Sequence, residues 1–140
     1  DIDHFKRIND THGHGVGDQV LRDLVERTQQ VIRKIDYCAR LGGEEFAVLL
    51  PDADDGTVLA VAQRLRAALE RAPQEGAGAA GVPYTVSIGM AMLQPGEDIT
   101  SLMARADTAL YAAKAGGRNR VEAAPEPALA RISGTPAAHA

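Results

Sequence analysis

Cysteine is almost absent from this chain: Cys38 is the only one in 140 residues. A single thiol inside an apolar run excludes a disulfide framework and a thiolate-held metal, and it predicts a buried side chain in a reducing cytosol. A positive excess is absent too. The net charge is −4, so no broad basic field is available to grip a nucleic-acid strand. An anionic ligand has to be met by local cations and backbone amides. No apolar stretch approaches the ~20 residues that cross a bilayer, and no charged-then-apolar leader opens the chain. These absences predict a cytoplasmic domain.

What is present reads as one domain of alternating helices and strands, long enough to bury roughly two-thirds of the surface its unfolded form exposes. Leu21, Leu24, Val25, Thr28, Ile32 and Ile35 recur at helical spacing behind Gly17 and Asp18, which predicts a helix over 18–34 with Asp18 as a plausible N-cap. The glycine-rich stretch before it, with His12 and His14, reads as a loop; lacking a spaced third nitrogen or sulfur ligand, it makes a poor zinc site. Two apolar runs, Tyr37 to Leu41 and Phe46 to Leu50, flank Gly42-Gly43-Glu44-Glu45 and predict a hairpin. Pro51 stops it, and Asp54 or Asp55 caps a helix to about Arg71 that buries Val58, Val61, Ala62, Leu65 and Leu69.

Residues 72–82 read as a loop, and Tyr84 to Leu93 as a strand in which Gly89 marks a bulge or a close approach. A third helix follows Ile99-Thr100, buries Leu102, Met103, Ala106, Ala109, Leu110 and Ala113, and ends on a left-handed cap at Gly116-Gly117. A short strand near Val121 closes the sheet. From 123 to 140 the chain is mostly small residues and proline that cannot repay the entropy of ordering, so it reads as a disordered tail.

The hairpin tip carries the first chemical signal. Glycine admits a bulky group where a Cβ collides, and two adjacent carboxylates beside it suit a metal held against a phosphate. On its own the tip reads sooner as a solubilising acidic turn. Three further motifs change that weighting: Asp1-Ile2-Asp3-His4-Phe5-Lys6-Arg7-Ile8-Asn9-Asp10, then Thr11-His12-Gly13-His14-Gly15-Val16-Gly17-Asp18, and Lys114-Ala115-Gly116-Gly117-Arg118-Asn119. In this order, from Asp1 to about Val121, the chain resembles the GGDEF domain of bacterial diguanylate cyclases, in its GGEEF form.

The resemblance implies an α/β sandwich with a central, mostly antiparallel sheet flanked by helices, akin to nucleotide cyclases and polymerase palms, over residues 1–122. It also implies that about forty family residues precede the position of Asp1: a helix, a turn and most of a central strand. The implied activity is condensation of two GTP into cyclic di-GMP with Mg²⁺ or Mn²⁺, two ions per active site, across a homodimer, usually under an upstream sensory domain. Asp1, the Ile2 carbonyl and Glu44 would hold metal. Glu45 would hold the second ion or take the 3′-hydroxyl proton. Asp3 is open between a solvent-facing and a structural role.

By the same resemblance Asp18 and Asn9 face guanine, whose N1 and N2 donors a carboxylate selects over adenine. Their bland alternatives are an N-cap and a turn residue. Lys114 and Arg118 would bind the β- and γ-phosphates, with amides near His4, Phe5 and Lys6 and the Gly42-Gly43 turn completing the cradle; cations at a helix end are the alternative. Arg33 and Asp36, with five residues between Asp36 and Gly42, match the family's product-inhibition site, with Arg64 as a second arginine; a cationic helix end followed by a turn acid is the alternative. Two other functions stay in view: a regulatory module that only binds GTP or cyclic di-GMP, and a polymerase palm, which the net charge disfavours.

Overall fold

The computed structural model describes residues 1–71 and 81–126. In chain order it contains α1 (Phe5–His12), α2 (His14–Val31), β1 (Tyr37–Gly42), β2 (Glu45–Leu49), α3 (Asp55–Glu70), β3 (Ser87–Met90), α4 (Ile99–Ala115) and β4 (Arg120–Ala123). The expected loop over 72–82 falls largely, and the expected tail mostly, outside the described residues.

The segment expected to be a loop is helical. Phe5 and Ile8 stand three apart and face the core, and only Gly13, at φ 90°, separates α1 from α2. Asp18 therefore lies inside α2 rather than capping it; Gly13 is the cap residue. Gly17 explains how Asn9 fits the corner: a Cβ there would stand 1.8 Å from Asn9 Oδ1 and 3.3 Å from Phe5 Cζ, so the absent side chain leaves room for Asn9 between α1 and α2.

At its far end α2 stops at Val31, three residues short of the expected Lys34, because Ile32 turns to an extended φ of −83° and ψ of 160°. Ile35 thus points outward at 54% exposure, and Val25 is at the border of the buried stripe, while Leu21, Leu24, Thr28 and Ile32 are buried as expected.

The later helices follow their caps. Asp54 accepts from the Thr57 amide at 2.7 Å and opens α3. Asp98 does the same for Ser101 at 2.8 Å and opens α4. The left-handed turn expected at Gly116-Gly117 falls on the second glycine: Gly116 is right-handed, and Gly117, Arg118 and Asn119 carry positive φ of 118°, 65° and 46°. Gly89 proves a close-approach site and not a bulge. Its pairing with Glu122 is regular, and a Cβ would lie 2.3 Å from both Ala106 O and Leu110 N of α4.

Among the described residues the strands form two pairs in place of the expected single, mostly antiparallel sheet. β1 and β2 run antiparallel with an irregularity between Arg40 and Gly42, whereas β3 and β4 run parallel. Asp1 to Asp3 lie between the pairs. Ile2 N donates to Glu44 O at 3.4 Å on one side; on the other, Asp3 N donates to Thr85 O and Ser87 N to Asp1 O. Ile2 also bridges Val86. Ile2, Ile8, Val20, Leu21, Leu24, Leu69, Tyr84 and Val86 form the core beneath this junction, with Phe5 and Phe46 packed against it. At about 1.5–3 kcal/mol per buried aliphatic side chain, this cluster ties the first three residues to both strand pairs.

Candidate active site

The site grows from a strand end that the core cannot release. Ile2 is 3% exposed, and neighbouring residues on a strand point to opposite faces. With Ile2 turned into the core and its amide donating to Glu44 O at 3.4 Å, the Asp1 carboxylate is turned to the opposite face. Lys114, in the last turn of α4, forms an ion pair with Asp1 Oδ2. The sequence reading did not include that pair. The carboxylates of Asp3, Glu45 and Glu44 all lie close enough to the Asp1 backbone nitrogen to act on it electrostatically. Three acids thus share one electrostatic neighbourhood at the strand end.

Asp3 is structural and buried, not solvent-facing. It accepts from Ser87 Oγ at 2.6 Å, Thr85 Oγ1 at 2.7 Å and the Asn119 amide at 3.0 Å. Those bonds tie the strand end to the turn after α4, which carries Arg118.

At the hairpin tip, Gly43 has φ 51°, and Arg40 Nε braces the turn through Gly43 O at 2.9 Å. A Cβ at Gly42 or Gly43 would meet nothing within 4 Å. The glycines are there for backbone conformation and leave the tip open to an approaching group. Glu44 is half-buried beside Ile2, and Glu45 is exposed.

α1 begins at His4, itself left-handed at φ 54°, with no side-chain cap and no acid in the first turn. Its first amides, from Phe5 and Lys6 on, are uncapped donors at the positive end of a helix dipole. Asn9, further along α1, has a buried Oδ1 with no hydrogen-bond partner, and Asp18 on α2 is exposed. A groove of about 340 Å³ between α2 and the hairpin is lined by Leu21, Arg22, Val25, Glu26, Cys38, Arg40 and Phe46. Cys38 is half-buried there rather than fully buried, and burial pushes its thiol pKa up.

Away from this site, Arg33 and Asp36 engage each other. Asp36 has no exposed side-chain surface; it accepts from Arg33 N at 2.7 Å and Nη2 at 2.9 Å, while Nη2 also reaches Pro51 O at 2.8 Å. The hydrogen bond from Arg33 holds the Asp36 carboxyl below the usual carboxylate range. Arg64 is exposed on α3, and among the described residues no hydrogen bond or ion pair joins it to Arg33 or Asp36.

Sequence reasoning missed the buried set behind the site. Tyr84 OH donates to Asp23 Oδ2 at 2.6 Å, and Arg27 bridges Asp23 to the Ala68 and Arg71 carbonyls at the end of α3. An acid at a core-facing position of α2 and an arginine four residues on were the available signals.

As for divalent ions, no three His, Cys, Asp or Glu side chains among the described residues gather into a metal cage. Two carboxylates and a carbonyl match the sparse set that Mg²⁺ takes from a protein when phosphates and water complete its shell.

A half-buried acid pair at a strand end and turn, an uncapped helix start and a cationic helix end thus stand together in one α/β domain. The family described as "Diguanylate cyclase, GGDEF domain" matches residues 1–120. The chain belongs to that GGDEF family. It is 41% identical over 122 residues to diguanylate cyclase DosC of Escherichia coli K12, covering 87% of this chain and 26% of DosC. It is 44% identical over 123 residues to response regulator PleD of Caulobacter vibrioides, covering 86% of this chain and 27% of PleD.

Among solved structures, the GGDEF domain of DgcB from Caulobacter crescentus in complex with c-di-GMP aligns at TM-score 0.80 and 44% identity, over 89% of this chain and 74% of that one. The active GGEEF domain of a diguanylate cyclase from Vibrio cholerae aligns at 0.81 and 34%, over 91% and 80%. The chain spans about a quarter of the length of the curated relatives named here. No helix among the described residues is long and apolar enough to cross a membrane.

Proposed function

We propose that this domain condenses two GTP into cyclic di-GMP and two pyrophosphates, each nucleotide held by one subunit of a homodimer. The observation that carries the reading is the Asp1 strand end hydrogen-bonded against the Glu44 turn, with the bare start of α1 and the Lys114 ammonium beside it. Asp1, Glu44 and the Ile2 carbonyl would hold Mg²⁺ or Mn²⁺, and Glu45 would serve the second ion. When bound, such ions neutralise phosphate charge and ease ionisation of the attacking hydroxyl.

The remaining work belongs to the chain. The amides of Phe5 and Lys6 donate to the phosphate oxygens, and Lys114 and Arg118 counter their charge. The unpartnered Oδ1 of Asn9 and the Asp18 carboxylate take the guanine donors, a pairing adenine lacks. The 3′-oxygen of one GTP forms a bond to the α-phosphorus of the other as the bond to the β-phosphate oxygen breaks; Glu45 receives the hydroxyl proton. The arrangement suits a nucleotide-cyclase or palm-type architecture. Product returning to the Arg33 and Arg64 side would meet those guanidinium groups while Asp36 orients Arg33.

The intact protein incubated with GTP and Mg²⁺ is expected to yield cyclic di-GMP by mass spectrometry. Glu44→Gln is expected to reduce the rate at least a hundredfold, the scale of losing a charge-stabilising group. Guanine-nucleotide binding without product from the wild-type protein would point instead to a regulatory module.

A further inference from the structure

Asn119 belongs to none of the roles above, yet every hydrogen-bonding group on its side chain is used. Its Nδ2 donates to Glu70 Oε1 at 3.2 Å, and its Oδ1 accepts from Arg66 Nη1 at 3.2 Å, both on α3. Its backbone amide donates to Asp3 Oδ2 at 3.0 Å. Arg66 and Glu70 are joined to each other at 2.7 Å, so the amide inserts into an existing ion pair. The Arg66 hydrogen bond, followed by that from Asn119, holds the Glu70 carboxyl below its usual range.

The backbone makes this clamp necessary. Gly117, Arg118 and Asn119 all carry positive φ, and a left-handed conformation is unfavourable for a non-glycine residue, so surrounding contacts have to hold it. Arg118 N bonds Ala113 O at 3.0 Å, which secures one end of the turn to α4. Asn119 secures the other end to α3 and to Asp3, two residues from Asp1. The turn bearing Arg118, with Lys114 at its root, is thereby held against the acidic strand end from two sides.

We infer that Asn119 is a positioning residue that sets the Lys114 and Arg118 cations against the phosphate side of the site, through its side-chain bonds to Arg66 and Glu70. It touches no reacting atom. The inference rests on the nucleotide reading above and deepens it: the groups Asn119 places are those that meet the β- and γ-phosphates, so its loss should be felt by GTP and not by GMP, which lacks them.

The test is calorimetric titration of the intact protein with GTP and with GMP, wild type against Asn119→Ala, Asn119→Gly and Glu70→Ala, with thermal melts alongside. Asn119→Gly keeps the left-handed backbone at no steric cost while removing the amide. Each variant is expected to weaken GTP about tenfold while GMP moves less than about twofold. Equal loss of both nucleotides would reduce Asn119 to a stability residue and overturn the inference. Wild-type affinity for GTP in Asn119→Gly would show that backbone conformation alone matters and would overturn it as well. A wild-type protein that binds GTP no better than GMP would sink the nucleotide reading itself, and this inference with it.

Discussion

Gly17 illustrates how one missing side chain serves a site. Its absent Cβ makes room for Asn9, whose Oδ1 is buried and unpartnered. Gly17→Ala would drive Asn9 out of place, because 1.8 Å is far inside any contact distance. The expected result is a loss of preference for GTP over ATP in competition binding, with a fall in stability of about 1–3 kcal/mol from overpacking. Tyr84 serves stability rather than ligand: burial and the Asp23 carboxylate push its phenol well above its ordinary pKa. Tyr84→Phe leaves Asp23 one hydrogen bond short in a buried place, and urea unfolding should register about 1–3 kcal/mol. Neither partnership was legible in the sequence, since Asp23 and Tyr84 are 61 residues apart, and side-chain pairs at that separation leave no local pattern.

Among the elements, those with a cap and a periodic apolar face were the legible ones. Asp54 and Asp98 begin α3 and α4, and Ala62, Leu65, Leu69, Ala109 and Ala113 lie on the buried faces that spacing predicts. α1 escaped notice because it has eight residues, no capping side chain and mostly polar composition, so little but Phe5 and Ile8 marks its inner face. α2 is shorter than its apolar spacing predicts because that spacing continues past Val31 while the helical backbone does not; the Arg33 to Asp36 bonds hold a turn there. Gly89 is where elements meet most closely. In Gly89→Ala the new methyl confronts the backbone of α4 at 2.3 Å, and neither helix nor strand can yield as a side-chain tip could. That variant should lose upward of about 2 kcal/mol, read as a lower urea midpoint at unchanged slope.

For the molecule as a whole, acid is the informative perturbation. Arg33 holds Asp36 below the usual carboxylate range. Burial raises Glu97, but the Gln94 amide, Ser101 and Arg105 outweigh it and leave Glu97 lowered too. A carboxyl depressed by folding contributes stability above its unfolded pKa and surrenders it as pH falls through the folded value. Thermal midpoints should therefore hold near neutral pH and decline in acid below the ordinary carboxylate range. Asp36→Asn, already lacking the pair, should start lower and decline less steeply, and circular-dichroism melts across pH would reveal it.

The sequence by itself determined the family, the order of helices and strands after residue 18, and the chemical kinds gathered at the hairpin tip, because caps, glycines and apolar spacing act over a few residues. Tertiary structure decided the partners. Lys114 with Asp1, Asn119 with Asp3 and Ser87 with Asp3 are separated by 113, 116 and 84 residues. It was the core beneath Ile2, burying one strand end between two strand pairs, that brought those distant polar groups within bonding reach of one another.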